Sequence, residues 1–228
     1  MPRPATRKKG AYTRAEIQRR YRQRKKRDRP DPKTLAKQQR RAEREAALAA
    51  ATLRAAQALG TALYAVLYVD PPWDFLVRSR ETGVDRHVAN HYPVMSLDAL
   101  AALKLPAAKD CWLYLWVPFS QLANAMRLIE AWGFEHKTGH GWGKDDLGTG
   151  LIVRENLELL LIASRGNPVA PAPGQQFPSL IVIPRGEPSE KPEQFAMMIE
   201  RLYPNLPKLE MFARKPREGW DCWGNEVP

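Results

Sequence analysis

The apolar run Leu63-Tyr-Ala-Val-Leu-Tyr-Val69 stops at Asp70-Pro71-Pro72-Trp73, and that stop constrains the fold more than any other stretch of the chain. An unbroken apolar run of this length reads as a strand buried on both faces, the kind found in sheets covered by helices. Proline offers no N–H to a sheet ladder, so the strand ends there. An acid just past such a strand lies at the carboxyl edge of the sheet, where open α/β folds keep their ligands. A plainer reading stands beside it: a proline pair stops strands, and an acid often only caps the turn.

The rest of the chain extends the pattern. Further strands are expected at 111–117, about 135–142, 157–163, 179–183 and 207–213. Helices are expected near 96–104, 119–132 and 192–203, with Ser96 and Ser120 as caps and Pro192 in a first turn. Apolar strands alternating with helical patterns predict an α/β fold with a mostly parallel sheet covered on both faces. The stretches 74–92, 143–154 and 164–178 have weak periodicity and read as loops, some of them flanking the site. A length of 228 residues allows one sizeable domain and an appendage.

Charge locates the appendage. Residues 1–58 hold 19 Lys/Arg against 5 Asp/Glu, a balance of +14, whereas residues 59–228 hold 17 against 20, a balance of −3; together these give the net +11. The expected division is therefore a basic helical arm, 1–58, and a near-neutral globular domain, 59–228. Thr13 and Glu16 form a capping-box pattern opening a short basic helix that ends near Arg27. A second helix is expected from about Lys33 to Leu59, closed by Gly60. Closely spaced Arg and Lys neutralise phosphates and give salt-sensitive nucleic-acid affinity; a solubilising tail or an import signal is the blander alternative. No apolar run is long enough to span a membrane and no secretory signal opens the chain, so no membrane partner is expected. Two cysteines, Cys111 and Cys222, without a Cys-x-x-Cys pattern suggest a reducing compartment, hence cytoplasmic location. His87/His91 and His136/His140 are spaced four apart but lack a third ligand pattern, so no metal is expected.

Asp70-Pro-Pro-Trp73 also suits one chemistry, methylation of an exocyclic amine. The lone pair of such an amine is drawn into its ring, and acceptors on its two hydrogens make the nitrogen more nucleophilic. Asp70 supplies one acceptor and the Pro71 carbonyl another. Pro72 completes the rigid pair, and Trp73 offers a face for a stacked base.

Eight motifs in order give the chain a wider likeness. After Asp70-Pro-Pro-Trp73 come His91-Tyr-Pro-Val-Met-Ser96, Leu113-Tyr-Leu-Trp-Val117, Ala131-Trp-Gly-Phe134 and Trp142-Gly-Lys144. Glu158-Leu-Leu-Leu-Ile-Ala-Ser-Arg-Gly-Asn167, Ser189-Glu-Lys-Pro192, Lys208-Leu-Glu-Met-Phe-Ala-Arg214 and Gly219-Trp-Asp-Cys-Trp-Gly-Asn-Glu226 follow. From about Tyr64 to Val227 the chain resembles the MT-A-type adenine-N6 methyltransferases. The resemblance implies a Rossmann-like methyltransferase fold, S-adenosylmethionine as donor and transfer to N6 of adenine. It gives Asp70, Pro71, Pro72 and Trp73 the catalytic roles and puts Asp70, Ser189, Lys191, Glu210, Arg214, Asn225 and Glu226 around the cofactor. Within that set Lys191 would meet the cofactor carboxylate and Glu210 the ribose hydroxyls. Tyr92 and Lys144 match loop positions that close over the target base together with Trp73. Set against these roles are plainer ones: Lys191 as a solvated residue at a helix start, Arg214 as the ion-pair partner of Glu210, and Asn225 as a turn former. Trp112, Trp116 and Trp132 read as core.

Two departures stand out. Pro188-Ser-Glu-Lys-Pro192 replaces a motif with His first and a basic third residue, setting Glu190 beside Lys191. Leu151 and Ile152 stand where relatives often carry Tyr-Trp. The size and basic arm favour DNA as the polymer, with RNA the alternative. The rival readings are a methyltransferase-like binding subunit without catalysis and a DNA-coating protein driven by residues 1–58.

Overall fold

The structure, a computed structural model, describes residues 63–73, 94–148, 152–187 and 190–224, together with the helical positions Arg19, Pro32, Leu35, Ala36, Gln39, Arg40 and Glu43. Apart from those positions, the two helices expected before residue 60 lie outside the described residues. The chain divides into two units, Met1–Glu43 and Arg44–Pro228, and the sheet belongs to the second.

Among the described residues from Leu63 on, seven strands alternate with three α-helices: β1 (Tyr64–Val69), α1 (Leu97–Ala101), β2 (Ala107–Pro118), α2 (Leu122–Ala131), β3 (Glu135–Gly143), β4 (Leu157–Arg165), β5 (Leu180–Val182), α3 (Glu193–Leu202), β6 (Lys208–Met211) and β7 (Asp221–Trp223). They form one sheet in the order β5-β3-β4-β2-β1-β6-β7. β1 pairs in parallel with β2 and β6, β6 with β7, and β3 with β5, while β4 is antiparallel to both β2 and β3. This is an α/β, Rossmann-like arrangement with a mixed sheet. Four of the six pairings are parallel, as expected of a mostly parallel sheet; β4 is the exception, and among the described residues no crossover helix precedes it, as a parallel neighbour would need.

β1, the second half of β2 and most of β4 are apolar because helices cover both faces there. On β1, Leu67 and Val69 join Leu100 of α1 and Leu128 and Ile129 of α2, whereas Val66 and Tyr68 join Phe195 and Ile199 of α3. β2 divides likewise, Leu113 and Leu115 to one face and Tyr114 and Trp116 to the other. Each fully buried side chain of this size stabilises the fold by about 1.5–3 kcal/mol. Trp116 and Trp132 are core, as expected, and Trp112 is partly buried with its indole N–H on the Val169 carbonyl.

The helix ends show local chemistry at work. Ser96 caps α1 through its hydroxyl, which accepts from Ala99 N at 3.2 Å. Ser120 does not cap α2: a 3₁₀ turn over Phe119–Gln121 precedes that helix and makes Gln121 its cap residue. Pro192 stands one place earlier than expected, as the cap residue of α3. At the end of α2, Gly133 takes φ 73°, and Gly133 N and Phe134 N bond the carbonyls of Glu130 and Ile129. That doubly bonded stop fixes the turn into β3.

Parallel pairing brings the carboxyl ends of β1, β2, β6 and β7 to one edge. The antiparallel β4 brings its beginning there instead, with Glu158 opposite Pro118 of β2 and Trp142 of β3.

Candidate active site

Asp70 leaves β1, which lies between β2 and β6, at that edge, and four hydrogen bonds hold the turn behind it. Asp70 N donates to Met211 O at 3.4 Å, Trp73 N to Pro71 O at 2.8 Å, Met95 N to Pro72 O at 2.9 Å and Trp73 Nε1 to Trp116 O at 3.0 Å. The Pro71 carbonyl keeps a second lone pair for a ligand. Trp73 is 6% exposed and packs in the core. This indole anchors the turn, because its apolar ring and one N–H are both satisfied inside the protein. Replacing it with phenylalanine strands the Trp116 carbonyl and should cost about 1–2 kcal/mol, read as a lower melting temperature.

Around Asp70 stands a balanced set of charges. Lys191 Nζ lies 2.7 Å from Asp70 Oδ2 and 3.5 Å from Glu158 Oε2, and 5.6 Å from the centre of the Trp116 ring. Lys144 bonds Glu158 Oε1 and sits 4.5 Å over the Trp142 ring. Burial pushes the Asp70 carboxyl above the usual carboxylate range, against the pull of Lys191. At Glu158 burial acts in the same upward direction, but Lys191 and Lys144 together outweigh it and the net shift is downward. Lys191 is raised: burial opposes its charge, and the two carboxylates overcome that opposition.

Lys191 is thus not a solvated residue at a helix start; its side chain is 16% exposed and its ammonium is committed to Asp70. An ammonium has three donors, so one remains for a ligand anion. Lys144 directly follows β3, its backbone N donating to Asn156 O at 2.8 Å. Glu190 turns away from Lys191 and meets Lys215 at 3.2 Å. Glu158 was quoted in a motif but given no role; the signal that could have found it is an acid as the second residue of an otherwise apolar strand.

Across β1, β6 ends in Glu210-Met-Phe-Ala. Phe212 adopts φ 62°, a left-handed backbone that costs a bulky residue about 1–3 kcal/mol. Its ring packs 5.0 Å from Trp223. Gly224 lies so close that a Cβ would meet Ala213 O at 2.1 Å and Ala213 N at 2.7 Å. Gly224→Ala must prise β7 from the segment after β6. It should destabilise the chain by about 1–3 kcal/mol in thermal melts. Glu210 pairs with Arg217 at 2.8 Å. Arg214 acts on the Asp70 and Glu190 carboxyls, favouring their charged forms. Ser189, Asn225, Glu226 and Tyr92 lie outside the described residues, as do His87 and His91. His140 is buried with Nδ1 2.8 Å from Pro178 O.

Residues 64–226 match the MT-A70 family. The chain belongs to that family. Membership makes it an S-adenosylmethionine-dependent methyltransferase. Among curated relatives, the Type II methyltransferase M.MunI from Mycoplasma sp is 35% identical over 182 residues, covering 72% of this chain and 78% of that one. The MT-A70-like N(6)-adenosine-methyltransferase of Arabidopsis thaliana is 28% identical, covering 74% of this chain and 24% of that protein. The human N(6)-adenosine-methyltransferase catalytic subunit METTL3 is 27% identical, covering 72% and 28%. The chain thus spans most of the first relative and about a quarter of the other two.

The edge fits the MT-A70 cofactor on its own chemistry. Lys191 keeps a donor for a carboxylate, and Glu210 offers an acceptor for hydroxyls.

Proposed function

We propose that this chain transfers a methyl group from S-adenosylmethionine to N6 of adenine in nucleic acid. The observation that carries the reading is Asp70, placed at the carboxyl end of β1, braced by Lys191 and followed by the rigid Pro71 carbonyl. When bound, S-adenosylmethionine supplies a methyl carried on positively charged sulfur. Asp70 and Pro71 O accept the two amine hydrogens and favour a tetrahedral nitrogen. Once methylated, the amine is acidic, and Asp70 or water takes the proton. Lys191, Glu210, Arg214, Ser189, Asn225 and Glu226 would hold the cofactor, and Lys144 and Tyr92 the target base. The basic residues 1–58 would contact phosphates as an arm on the domain of 59–228.

Among the polymers, RNA has the better support: the eukaryotic relatives are named for adenosine, the ribonucleoside. That displaces DNA, the polymer favoured by size and charge, to second place. DNA keeps a place because the chain spans 78% of the Type II methyltransferase but only 28% of the human protein. Transfer of labelled methyl to RNA and DNA side by side, with Asp70→Ala as control, separates the two. N6-methyladenine on one polymer, lost in the variant, establishes both chemistry and substrate. Label on another atom or on neither polymer, from folded protein that binds cofactor, would sink the reading.

A further inference from the structure

Arg217 plays no part in the motifs that mark this chain, yet its side chain is 13% exposed. Its Nε donates to Glu210 Oε2 at 2.8 Å, its Nη1 pairs with Glu193 at the first residue of α3, and its guanidinium lies 5.6 Å over the Trp220 ring. One side chain thereby ties β6, the start of α3 and the segment between β6 and β7 together. Its hold on Glu210 is one-sided. Oε2 is the oxygen that Arg217 Nε takes.

We propose that Arg217 is a positioning residue for cofactor binding, fixing one oxygen of Glu210 so that the other accepts from the cofactor ribose. The proposal rests on the reading that puts Glu210 at the cofactor. A planar guanidinium can hold a carboxylate in one plane, which a freely turning ammonium cannot.

The setting of Glu210 makes the role measurable. The groups that face it are Arg217, Glu193 of α3, Asp70 and Tyr68 from the β1 side, and Cys222 of β7. Burial raises the Glu210 pKa most, Glu193 and Asp70 add to the rise, and Arg217 opposes it. Without Arg217 the carboxyl keeps its proton to higher pH, and a protonated carboxyl is a poorer acceptor for a hydroxyl.

The test is calorimetric titration of the full chain with S-adenosylhomocysteine between about pH 6 and pH 8. Arg217→Gln is expected to bind roughly tenfold more weakly near neutral pH, with the deficit widening as pH falls. In a Glu210→Gln background the same change is expected to add nothing. Arg217→Lys, also the variant to use if Arg217→Gln does not fold, keeps the charge but loses the fork. It should bind several-fold more weakly with the pH slope of the unaltered chain. Unaltered affinity in Arg217→Lys, or a loss in Arg217→Gln that is equal at every pH and additive with Glu210→Gln, overturns the positioning role. Unaltered affinity in Glu210→Gln alone instead removes Glu210 from the cofactor site, and the underlying reading with it.

Discussion

Replacing Asp70 with alanine is expected to lower kcat on the order of 10²–10⁴-fold while the protein stays folded. Asp70 is the acceptor proposed to draw one amine hydrogen, and no other carboxylate stands at the end of β1 among the described residues. Glu158 cannot replace it, because both its oxygens face lysines, Oε1 toward Lys144 and Oε2 toward Lys191. Stability should change little. Burial raises the Asp70 pKa, so its ionised form costs the fold something as pH rises through that value, and its removal lifts the cost while Lys191 retains Glu158. Single-turnover methyl transfer and a melting curve on the same preparation check both halves. Wild-type kcat in Asp70→Ala would discard the proposed role outright.

Lys191→Met carries the second large effect, and its two consequences run in opposite directions with pH. Asp70 loses its nearest cation, so burial drives its pKa further up and the acid limb of the pH–rate profile moves to higher pH. Activity lost at neutral pH should therefore return in part under alkaline conditions. Stability does the reverse: the raised folded pKa means ionisation of Asp70 is unfavourable, and the variant loses stability as pH rises through it. Losing one partner of a buried pair costs about 3–5 kcal/mol. With the Asp70 side chain 32% exposed, about 2 kcal/mol is the fitting expectation. A pH–rate profile superimposable on that of the unaltered chain would exclude Lys191 as the group that keeps Asp70 ionised.

Much of the fold was legible because β1, the second half of β2 and most of β4 are apolar on both faces. The runs at 63–69, 111–117 and 157–163 were found within a few residues of β1, β2 and β4. β7 was missed: Asp221-Cys-Trp223 is a three-residue edge strand with no periodicity to detect. The reversal of β4 was half legible. Residues 143–154 already read as a loop, and a connection without a helix favours antiparallel neighbours. Of the site, Asp70-Pro-Pro-Trp73 could be placed at a strand end but not oriented, so the packing of Trp73 in the core, 6% exposed, was out of reach. Arg217 was out of reach because a lone arginine between Pro216 and Glu218 looks like any surface charge.

By itself the sequence determined the layered α/β architecture, the stop at Asp70 and the order of motifs that marks the family. These depend on local apolar content, proline geometry and residue identity, which neighbours far along the chain do not alter. Tertiary structure alone decided which charges meet. Asp70 and Lys191 are 121 residues apart in sequence yet share a hydrogen bond of 2.7 Å. Glu158 reaches the same edge because β4 runs against its neighbours. Ion pairing acts over a few ångströms of space, whereas sequence records distance along the chain, so the carboxylate–lysine network became visible only once the sheet had folded.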